Sequence, residues 1–221
     1  MRKIVEKTIT AVVKNSWVAI QVGFIRLIEP VTKYLIRVEI NPNVLTTVGF
    51  CISILAGYFF AAGVIRMGAV FVLLSGIFDI MDGKIARGSN QVTKFGALYD
   101  STLDRYAEIL IFLGIAYHFI DKNMVYTSLM SCIALGGSLM VSYVRARAEG
   151  LGFTCKVGLL QRPERIVILG ASALAHEYTL IAGLVILAIF ANITAIQRIY
   201  HIWLQENGKK HEIVRDFDKR G

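Results

Sequence analysis

Apolar residues along the chain form three long stretches that contain no charged side chain. They cover residues 40–65, 123–144 and 178–197. A helix that crosses a lipid bilayer needs about 20 predominantly apolar residues. Each stretch meets that length by itself, so the pattern predicts three membrane-spanning helices.

Three shorter apolar stretches cover residues 67–78, 109–120 and 166–176. They reach spanning length only if their helices include nearby charged residues, namely Asp79 and Asp82, Asp100 and Asp104, and Glu164 and Arg165. Ionisable groups in a membrane helix are costly, and by default they mark a functional site. We therefore predict an all-α integral membrane protein with six transmembrane helices and a functional site at the charged ends of the shorter ones.

The first 38 residues have a different pattern, because basic residues interrupt their apolar clusters. These are Lys7, Lys14, Arg26 and Lys33, with Trp17 near the middle. The pattern favours an amphipathic helix that lies in the membrane interface. An extra span or a cleaved signal peptide is the alternative, although no small-residue cleavage site follows a short apolar core. The predicted organisation is an interfacial segment at 1–38, a six-helix membrane domain at 39–204 and a cytoplasmic tail at 205–221.

Composition narrows the class of protein. Hydrophobic residues make up 55% of the 221 residues and charged residues only 18%, which excludes an ordinary soluble globule and a disordered chain. The three cysteines, Cys51, Cys132 and Cys155, have no spacing typical of a zinc site, and their odd number does not indicate a disulfide framework.

The formal net charge of +8 is distributed by membrane side. With the N-terminus in the cytoplasm, 21 of the 24 lysines and arginines lie on the cytoplasmic side, as the positive-inside rule requires. Both termini of this multi-pass protein of the cell membrane are therefore predicted to be cytoplasmic. The same distribution, without an interleaved aromatic platform, argues against nucleic-acid binding.

Two pairs of aspartates carry the most informative chemistry. Asp79 and Asp82 are three residues apart, and Asp100 and Asp104 are four apart, so each pair shares one face of a helix. Four facing carboxylates require a cation, and Mg²⁺ or Mn²⁺ prefers such oxygen ligands. Two such ions can bind a diphosphate and stabilise its displacement. An ion relay in a transporter and a set of solvated loop residues are alternatives that the pairing alone leaves open.

The complete spacing from Asp79 to Asp104 is D-x2-D-G-x2-A-R-x8-G-x3-D-x3-D. It resembles, at every fixed position, the signature of the CDP-alcohol phosphotransferase family, integral membrane enzymes of phospholipid head-group synthesis. The resemblance implies a six-helix membrane fold, usually a homodimer, with its site open to the cytoplasm. It also implies transfer of a phosphatidyl group from CDP-diacylglycerol, or a related CDP-lipid, to an alcohol, with release of CMP.

The resemblance assigns the four aspartates to two divalent ions, Mg²⁺ or Mn²⁺. Asp79, Asp82 and Asp100 would hold one ion. Asp79, Asp100 and Asp104 would hold the second. Asp104 would also be the base that deprotonates the acceptor hydroxyl.

The residues implied to contact the CDP-lipid are Gly83, Arg87 and Thr93. The segment Pro-Asn-Val-Leu-Thr at 42–46 resembles the Pro-Asn-x-x-Thr of the family. Its Asn43 and Thr46 would act either as helix caps or as cytidine contacts. Glu108 lies outside the signature, and we interpret it as a structural or supporting group.

Two further segments indicate the acceptor. Residues 142–149 read Ser-Tyr-Val-Arg-Ala-Arg-Ala-Glu, and residues 161–165 read Gln-Arg-Pro-Glu-Arg. They resemble the phosphatidylinositol phosphate synthases and related members, whose acceptor already carries a phosphate. The matching positions are Ser142, Arg145 and Arg165, with Arg198 as a weaker fourth. Inositol 1-phosphate is therefore the favoured acceptor.

One departure keeps other substrates open. Bacterial phosphatidylinositol phosphate synthases commonly have Lys where this chain has Arg145, and the two side chains bind phosphate differently. An archaeal-type or other inositol-phosphate acceptor, glycerol 3-phosphate and an ether-linked lipid donor therefore stay open.

Two other classes of function fit parts of the pattern. A transporter would use the carboxylates as an ion path and would move its substrate without releasing CMP. An inactive scaffold of the same fold would be expected to lack a signature acid, and none is missing from this sequence.

Overall fold

The computed structural model describes residues 28–218, with side chains described for residues 28–208. Within that range the chain forms seven helices and no strand, which confirms the all-α fold. The first helix, α1, is described over residues 28–37. The others are α2 (Pro42–Ala61), α3 (Ile65–Gly88), α4 (Lys94–Asp121), α5 (Val125–Gly150), α6 (Arg162–Ala175) and α7 (Glu177–Asp218). Most of the predicted interfacial segment, residues 1–27, lies outside the described range.

Among the described residues, three helices are long and apolar enough to cross a membrane. They are α2, α5 and the part of α7 at Glu177–Gly208, and they contain nearly all of the three charge-free stretches of the sequence. The helices α3, α4 and α6 include the charged residues that flank the shorter apolar stretches, as predicted. α6 has 14 residues and extends only ~21 Å, less than the ~30 Å of a hydrocarbon core.

The helices α2 and α4 cross in direct backbone contact at two glycines. A Cβ atom on Gly57 would lie 2.7 Å from the Leu110 carbonyl oxygen, and one on Gly114 would overlap the Gly57 carbonyl group. Glycine at such positions lets two membrane helices approach closely. The crossing therefore fixes how the first turns of α2 and α4 are placed relative to each other.

Two apolar clusters hold the helices around the aspartates. The larger one joins all the helices from α2 to α7, and its fully buried side chains include Phe60, Ile115, Phe119, Leu180, Leu184 and Leu187. The smaller one joins α1, α2 and α3 through Ile28, Leu45, Met81 and Ile85. Because Met81 and Ile85 flank Asp82, this smaller cluster fixes the turn of α3 that carries the signature acids.

A polar contact joins the far ends of α4 and α7. Lys122 Nζ lies 2.6 Å from a carboxylate oxygen of Glu177, and the buried His118 places its Nε2 3.4 Å from the same side chain. The first turn of α7 is thereby attached to the last turn of α4, at the end of the helices opposite the signature aspartates.

Candidate active site

The end of α3 and the start of α4 position the four signature aspartates. Thr93 caps α4, because its Oγ1 accepts a hydrogen bond from the Gly96 amide at 2.9 Å. A Cβ atom at position 96 would lie 2.9 Å from that Oγ1, so glycine leaves room for the cap. The cap sets the register of α4, and this register turns Asp100 and Asp104 toward α3.

Three of the aspartates converge. Asp79, Asp82 and Asp100 each place one carboxylate oxygen so that all three lie within 4.8 Å of one another. Asp82 is 5% exposed, and its Oδ2 accepts a hydrogen bond from Thr46 Oγ1 at 2.7 Å. Asp100 Oδ1 is buried and has no hydrogen-bond partner. A buried, unpartnered oxygen beside two other carboxylates suits a hard divalent cation.

Asp104, one turn further along α4, is bound by two arginines. Its Oδ1 forms an ion pair with Arg162 Nη2, and its Oδ2 lies 3.2 Å from Arg105 Nη2. The other terminal nitrogen of Arg162, Nη1, donates to Asp79 Oδ1. One guanidinium group therefore connects two signature aspartates on different helices.

A small cavity of about 20 Å³ lies between these groups. All four aspartates line it, together with Thr46 and Arg162. The volume is enough for a single water molecule.

Arg162 is the residue of this site that sequence reasoning missed. It belongs to the Gln-Arg-Pro-Glu-Arg segment, which indicated phosphate binding but assigned that role to Arg165. The contact between Arg162 and Asp79 joins residues 83 positions apart. Only the packing of α6 against α3 shows which arginine of the segment reaches the aspartates.

A larger cavity of about 250 Å³ opens beside the aspartates. Its lining includes Asp82 and Asp100, together with the five residues that the sequence assigned to the CDP-lipid: Asn43, Thr46, Gly83, Arg87 and Thr93. The fold thus brings these five positions from α2, α3 and the α3–α4 connection around one space.

Capping of α2 does not explain Asn43 and Thr46. The N-cap is Asn41, whose side chain accepts a hydrogen bond from the Asn43 amide at 2.9 Å. Thr46 Oγ1 lies 3.2 Å from the Pro42 carbonyl oxygen in addition to its bond with Asp82. Of the two roles that the sequence left open for these residues, the structure does not support the capping role.

The four residues predicted to bind the acceptor phosphate occupy different environments. Ser142 lines a cleft of about 500 Å³ between α4 and α5, which Arg105 also lines. Arg145 is exposed and forms an ion pair with Glu149 at 2.9 Å. Arg165 and Arg198 are each 3% exposed. These side chains are not gathered around one open cavity in the described structure.

Arg198 and Arg165 are held by internal contacts. Arg198 donates to the carbonyl oxygens of Val157 and Val141 at 2.9 and 2.5 Å, so it connects α7 to α5 and to the α5–α6 connection. The charges of Arg145 and Arg165 nevertheless act on Arg198. The three guanidinium groups therefore share one region formed by α5, α6 and α7.

Glu108 supports this group of charges from inside α4. It is 7% exposed, and its Oε1 accepts a hydrogen bond from Arg165 Nη2 at 2.6 Å. Its Oε2 lies 3.7 Å from Arg105 Nε. Glu108 thus compensates the buried charge of Arg165, which agrees with the supporting role expected from the sequence.

An all-helical membrane fold with converging aspartates beside a cavity of signature residues defines a class of lipid-modifying enzymes. The chain belongs to the CDP-alcohol phosphatidyltransferase family, whose model matches residues 39–204. It is therefore an enzyme of a membrane-protein family.

The relatives with assigned activities include inositol phosphate enzymes. An archaetidylinositol phosphate synthase of Methanothermobacter thermautotrophicus is 37% identical over 80% of this chain and 89% of its own length. A phosphatidylinositol phosphate synthase of Mycobacterium tuberculosis is 33% identical over 82% of this chain and 88% of its own length.

Solved structures show the same fold. The crystal structure of the Mycobacterium tuberculosis phosphatidylinositol phosphate synthase with CDP-DAG bound superposes with a TM-score of 0.70 at 32% identity, covering 80% of this chain and 94% of that one. The structure of the same enzyme in complex with manganese and citrate gives a TM-score of 0.69 at 32% identity, covering 79% of this chain and 88% of that one.

Proposed function

We propose that this enzyme transfers a phosphatidyl-type group from a CDP-lipid to a hydroxyl of an inositol phosphate and releases CMP. The observation that carries the proposal is the 250 Å³ cavity in which the signature residues Gly83 and Arg87, with Asn43, Thr46 and Thr93, adjoin the converging aspartates. A CDP-lipid in this cavity has its diphosphate beside the carboxylates. The relatives named for inositol phosphate synthesis support the choice of acceptor.

The donor set fits divalent metal ions. Three carboxylate oxygens within 4.8 Å and the unpartnered Asp100 Oδ1 are hard oxygen ligands of the kind that Mg²⁺ and Mn²⁺ prefer. Asp79, Asp82 and Asp100 would hold one ion, and Asp79, Asp100 and Asp104 would hold a second. Bound there, the ions would neutralise the diphosphate charge and the charge that develops on the leaving CMP.

The residues of the chain perform the remaining tasks. Asp104 accepts the proton of the acceptor hydroxyl, and the acceptor oxygen attacks the β-phosphorus of the CDP-lipid. The bond between this phosphorus and the oxygen that bridges to the α-phosphorus breaks, and CMP leaves with the electron pair. Arg87 can bind a phosphate oxygen through its guanidinium fork. The Thr46 hydroxyl orients Asp82.

The arginines of α5, α6 and α7 supply the charge for an acceptor that already carries a phosphate. Arg145, Arg165 and Arg198 share one region. Ser142 lines the cleft between α4 and α5 together with Arg105. Binding of a phosphate there requires Arg145 to leave Glu149 or Arg165 to rearrange. Glycerol 3-phosphate carries the same phosphate chemistry and is the alternative acceptor.

The arrangement in the membrane follows from the charge distribution. We propose six membrane helices, α2 to α7, of which α6 reaches only part of the way across the hydrocarbon core, with residues 1–38 in the membrane interface, the enzyme domain at 39–204 and a cytoplasmic tail from 205. Both termini and the aspartates face the cytoplasm, since most lysines and arginines lie at that end of the helices. The family resemblance favours a homodimer in the cell membrane.

A CMP-release assay tests the function. Purified protein in liposomes receives Mn²⁺ or Mg²⁺, a diacyl or an ether-linked CDP-lipid, and one acceptor at a time: inositol 1-phosphate, glycerol 3-phosphate, inositol or serine. We expect CMP release with inositol 1-phosphate, and the more active donor identifies the lipid. CMP release only with glycerol 3-phosphate would contradict the acceptor. Solute flux without CMP release from any mixture would favour a transporter over the enzyme.

A further inference from the structure

The guanidinium group of Arg162 binds two signature aspartates at once. Nη1 contacts Asp79 on α3, and Nη2 contacts Asp104 on α4. The planar guanidinium presents two parallel donors, which lets one arginine hold two carboxylates in a fixed geometry. Because Arg162 is the first residue of α6, it also anchors the start of that helix to the aspartates.

The arginine contacts divide the four aspartates unequally. Asp79 and Asp104 are bound by Arg162, whereas Asp82 is bound by Thr46 and Asp100 keeps an unpartnered Oδ1. In the proposed function, which this inference builds on, Asp104 is the ligand that belongs to the second ion alone. The guanidinium group therefore contacts two ligands of the second ion, Asp79 and Asp104, but only one ligand of the first, Asp79.

Each carboxylate oxygen of Asp104 contacts an arginine. Arg162 binds its Oδ1, and Arg105 lies 3.2 Å from its Oδ2. A carboxylate can act as a base only if one oxygen reaches the hydroxyl that it deprotonates. Arg162 therefore occupies one of the two oxygens of the residue that the proposed function assigns as the base.

We propose that Arg162 is a counter-cation of the aspartate cluster and competes with the second divalent ion for Asp79 and Asp104. When this ion binds, it displaces the guanidinium group. A buried carboxylate cluster without a compensating cation is strongly destabilised, so Arg162 keeps the cluster stable while the second position lacks its ion. Displacement releases Asp79 and Asp104 from the guanidinium group, so that both carboxylates can bind the second ion.

Titration with Mn²⁺ in the absence of CDP-lipid tests this competition. The free ion is measured by electron paramagnetic resonance, which gives the number of sites and the ratio of the second dissociation constant to the first. In the Arg162→Gln variant we expect this ratio to fall by about tenfold or more, because a competing unit charge a few ångströms away is removed. A second site that is detectable only in the variant counts as the same result.

Arg165→Gln is the matched control. It removes the same charge one turn further along α6, where the side chain binds Glu108 and not a signature aspartate. We expect its ratio to stay within about threefold of the wild-type ratio, since the interaction weakens with distance. An unchanged ratio in Arg162→Gln, or an equal fall in both variants, would overturn the proposal.

A charge-conserving pair covers the case in which the glutamine variant does not fold. Lysine cannot span both aspartates with a planar fork, so Arg162→Lys should lower the ratio and Arg165→Lys should not. Equal ratios in the two lysine variants contradict the proposal.

The test also separates this inference from the proposed function. Two Mn²⁺ sites in a wild-type protein that releases no CMP would contradict the function alone. Normal CMP release with a ratio that does not depend on Arg162 would contradict the inference alone.

Discussion

At the scale of single residues, one hydroxyl joins α2 to the metal-binding candidates. Thr46 donates a 2.7 Å hydrogen bond to Asp82 Oδ2, which holds the Asp82 carboxylate in one orientation. Groups that orient metal ligands in this way commonly contribute 10- to 100-fold to metal affinity. The role of Thr46 in the site is therefore orientation as well as lining of the cavity.

Replacing Thr46 with valine tests this role, because valine keeps the shape and removes the hydroxyl. We expect the affinity for the first Mn²⁺ ion to fall by about tenfold, measured in the same titration. Thr47→Val is the control, since the Thr47 hydroxyl contacts Asn43 and Tyr99 on the exposed side of α2. Equal Mn²⁺ affinities in the two variants would exclude an orienting role for Thr46.

The role of Asp104 as base gives a second residue-scale prediction. In Asp104→Asn, CMP release should fall by about 10³-fold, since a general base contributes between 10² and 10⁴. Binding of the CDP-lipid should largely survive, because its cavity is lined by other residues. Turnover and lipid binding are measured on the same preparation.

Asp121→Asn provides the comparison, because Asp121 is exposed at the opposite end of α4 and should retain full turnover. An Asp104→Asn variant that releases CMP at the wild-type rate would remove Asp104 as the base.

Residue spacing predicted which aspartates share a helix face but not their partners. The pairing of Asp79 with Asp82 and of Asp100 with Asp104 follows from the periodicity of an α-helix. The bridge formed by Arg162 and the bond from Thr46 depend on how α6 and α2 pack against α3. Periodicity within one helix carries no information about such contacts.

At the scale of helices, α2 and α4 cross with their backbones in contact at Gly57 and Gly114. The two glycines lie in apolar stretches that the sequence predicted to be membrane helices, but the pattern does not show which face meets which. The lengths of the helices were also only partly predictable. The short α6 follows from Pro163 and the break at His176, whereas α7 continues past residue 204 to Asp218.

The crossing predicts opposite effects for two glycine substitutions. Gly114→Ala should lower the free energy of unfolding by about 1–3 kcal/mol, because the added methyl group overlaps the Gly57 backbone. Gly136→Ala on α5 meets no atom within 4 Å and should be neutral or stabilising by up to about 1 kcal/mol. Unfolding in mixed micelles measures both, and equal stabilities would contradict the crossing.

At the scale of the whole molecule, the two ends of the helices differ in charge. The aspartates and most arginines lie at one end, and the contact of Lys122 with Glu177 lies at the other. From this difference the positive-inside rule predicts that the end that carries the aspartates faces the cytoplasm. This prediction needs only the sequence, because it depends on charge counts and not on packing.

Labelling of single cysteines tests the orientation. In a variant without its three native cysteines, Lys94→Cys and Tyr126→Cys place one thiol at each end of the helices, both at exposed positions. An impermeant maleimide added to intact cells should label position 126 and leave position 94 unlabelled. The pattern should reverse in inside-out vesicles. Labelling of position 94 in intact cells would place the aspartates on the outer side.

The glycine crossing also fixes the angle between the segments of α2 and α4 that lead to the aspartates. Thr46 precedes Gly57 by 11 residues and Asp104 precedes Gly114 by 10, so both segments extend about 15 Å from the crossing. Over this length, a change of about 4° in the crossing angle moves a side chain by about 1 Å. A displacement of about 1 Å can lower a reaction rate by about 10². Turnover is thus expected to depend on the angle at which α2 and α4 cross, about 15 Å away from the aspartates.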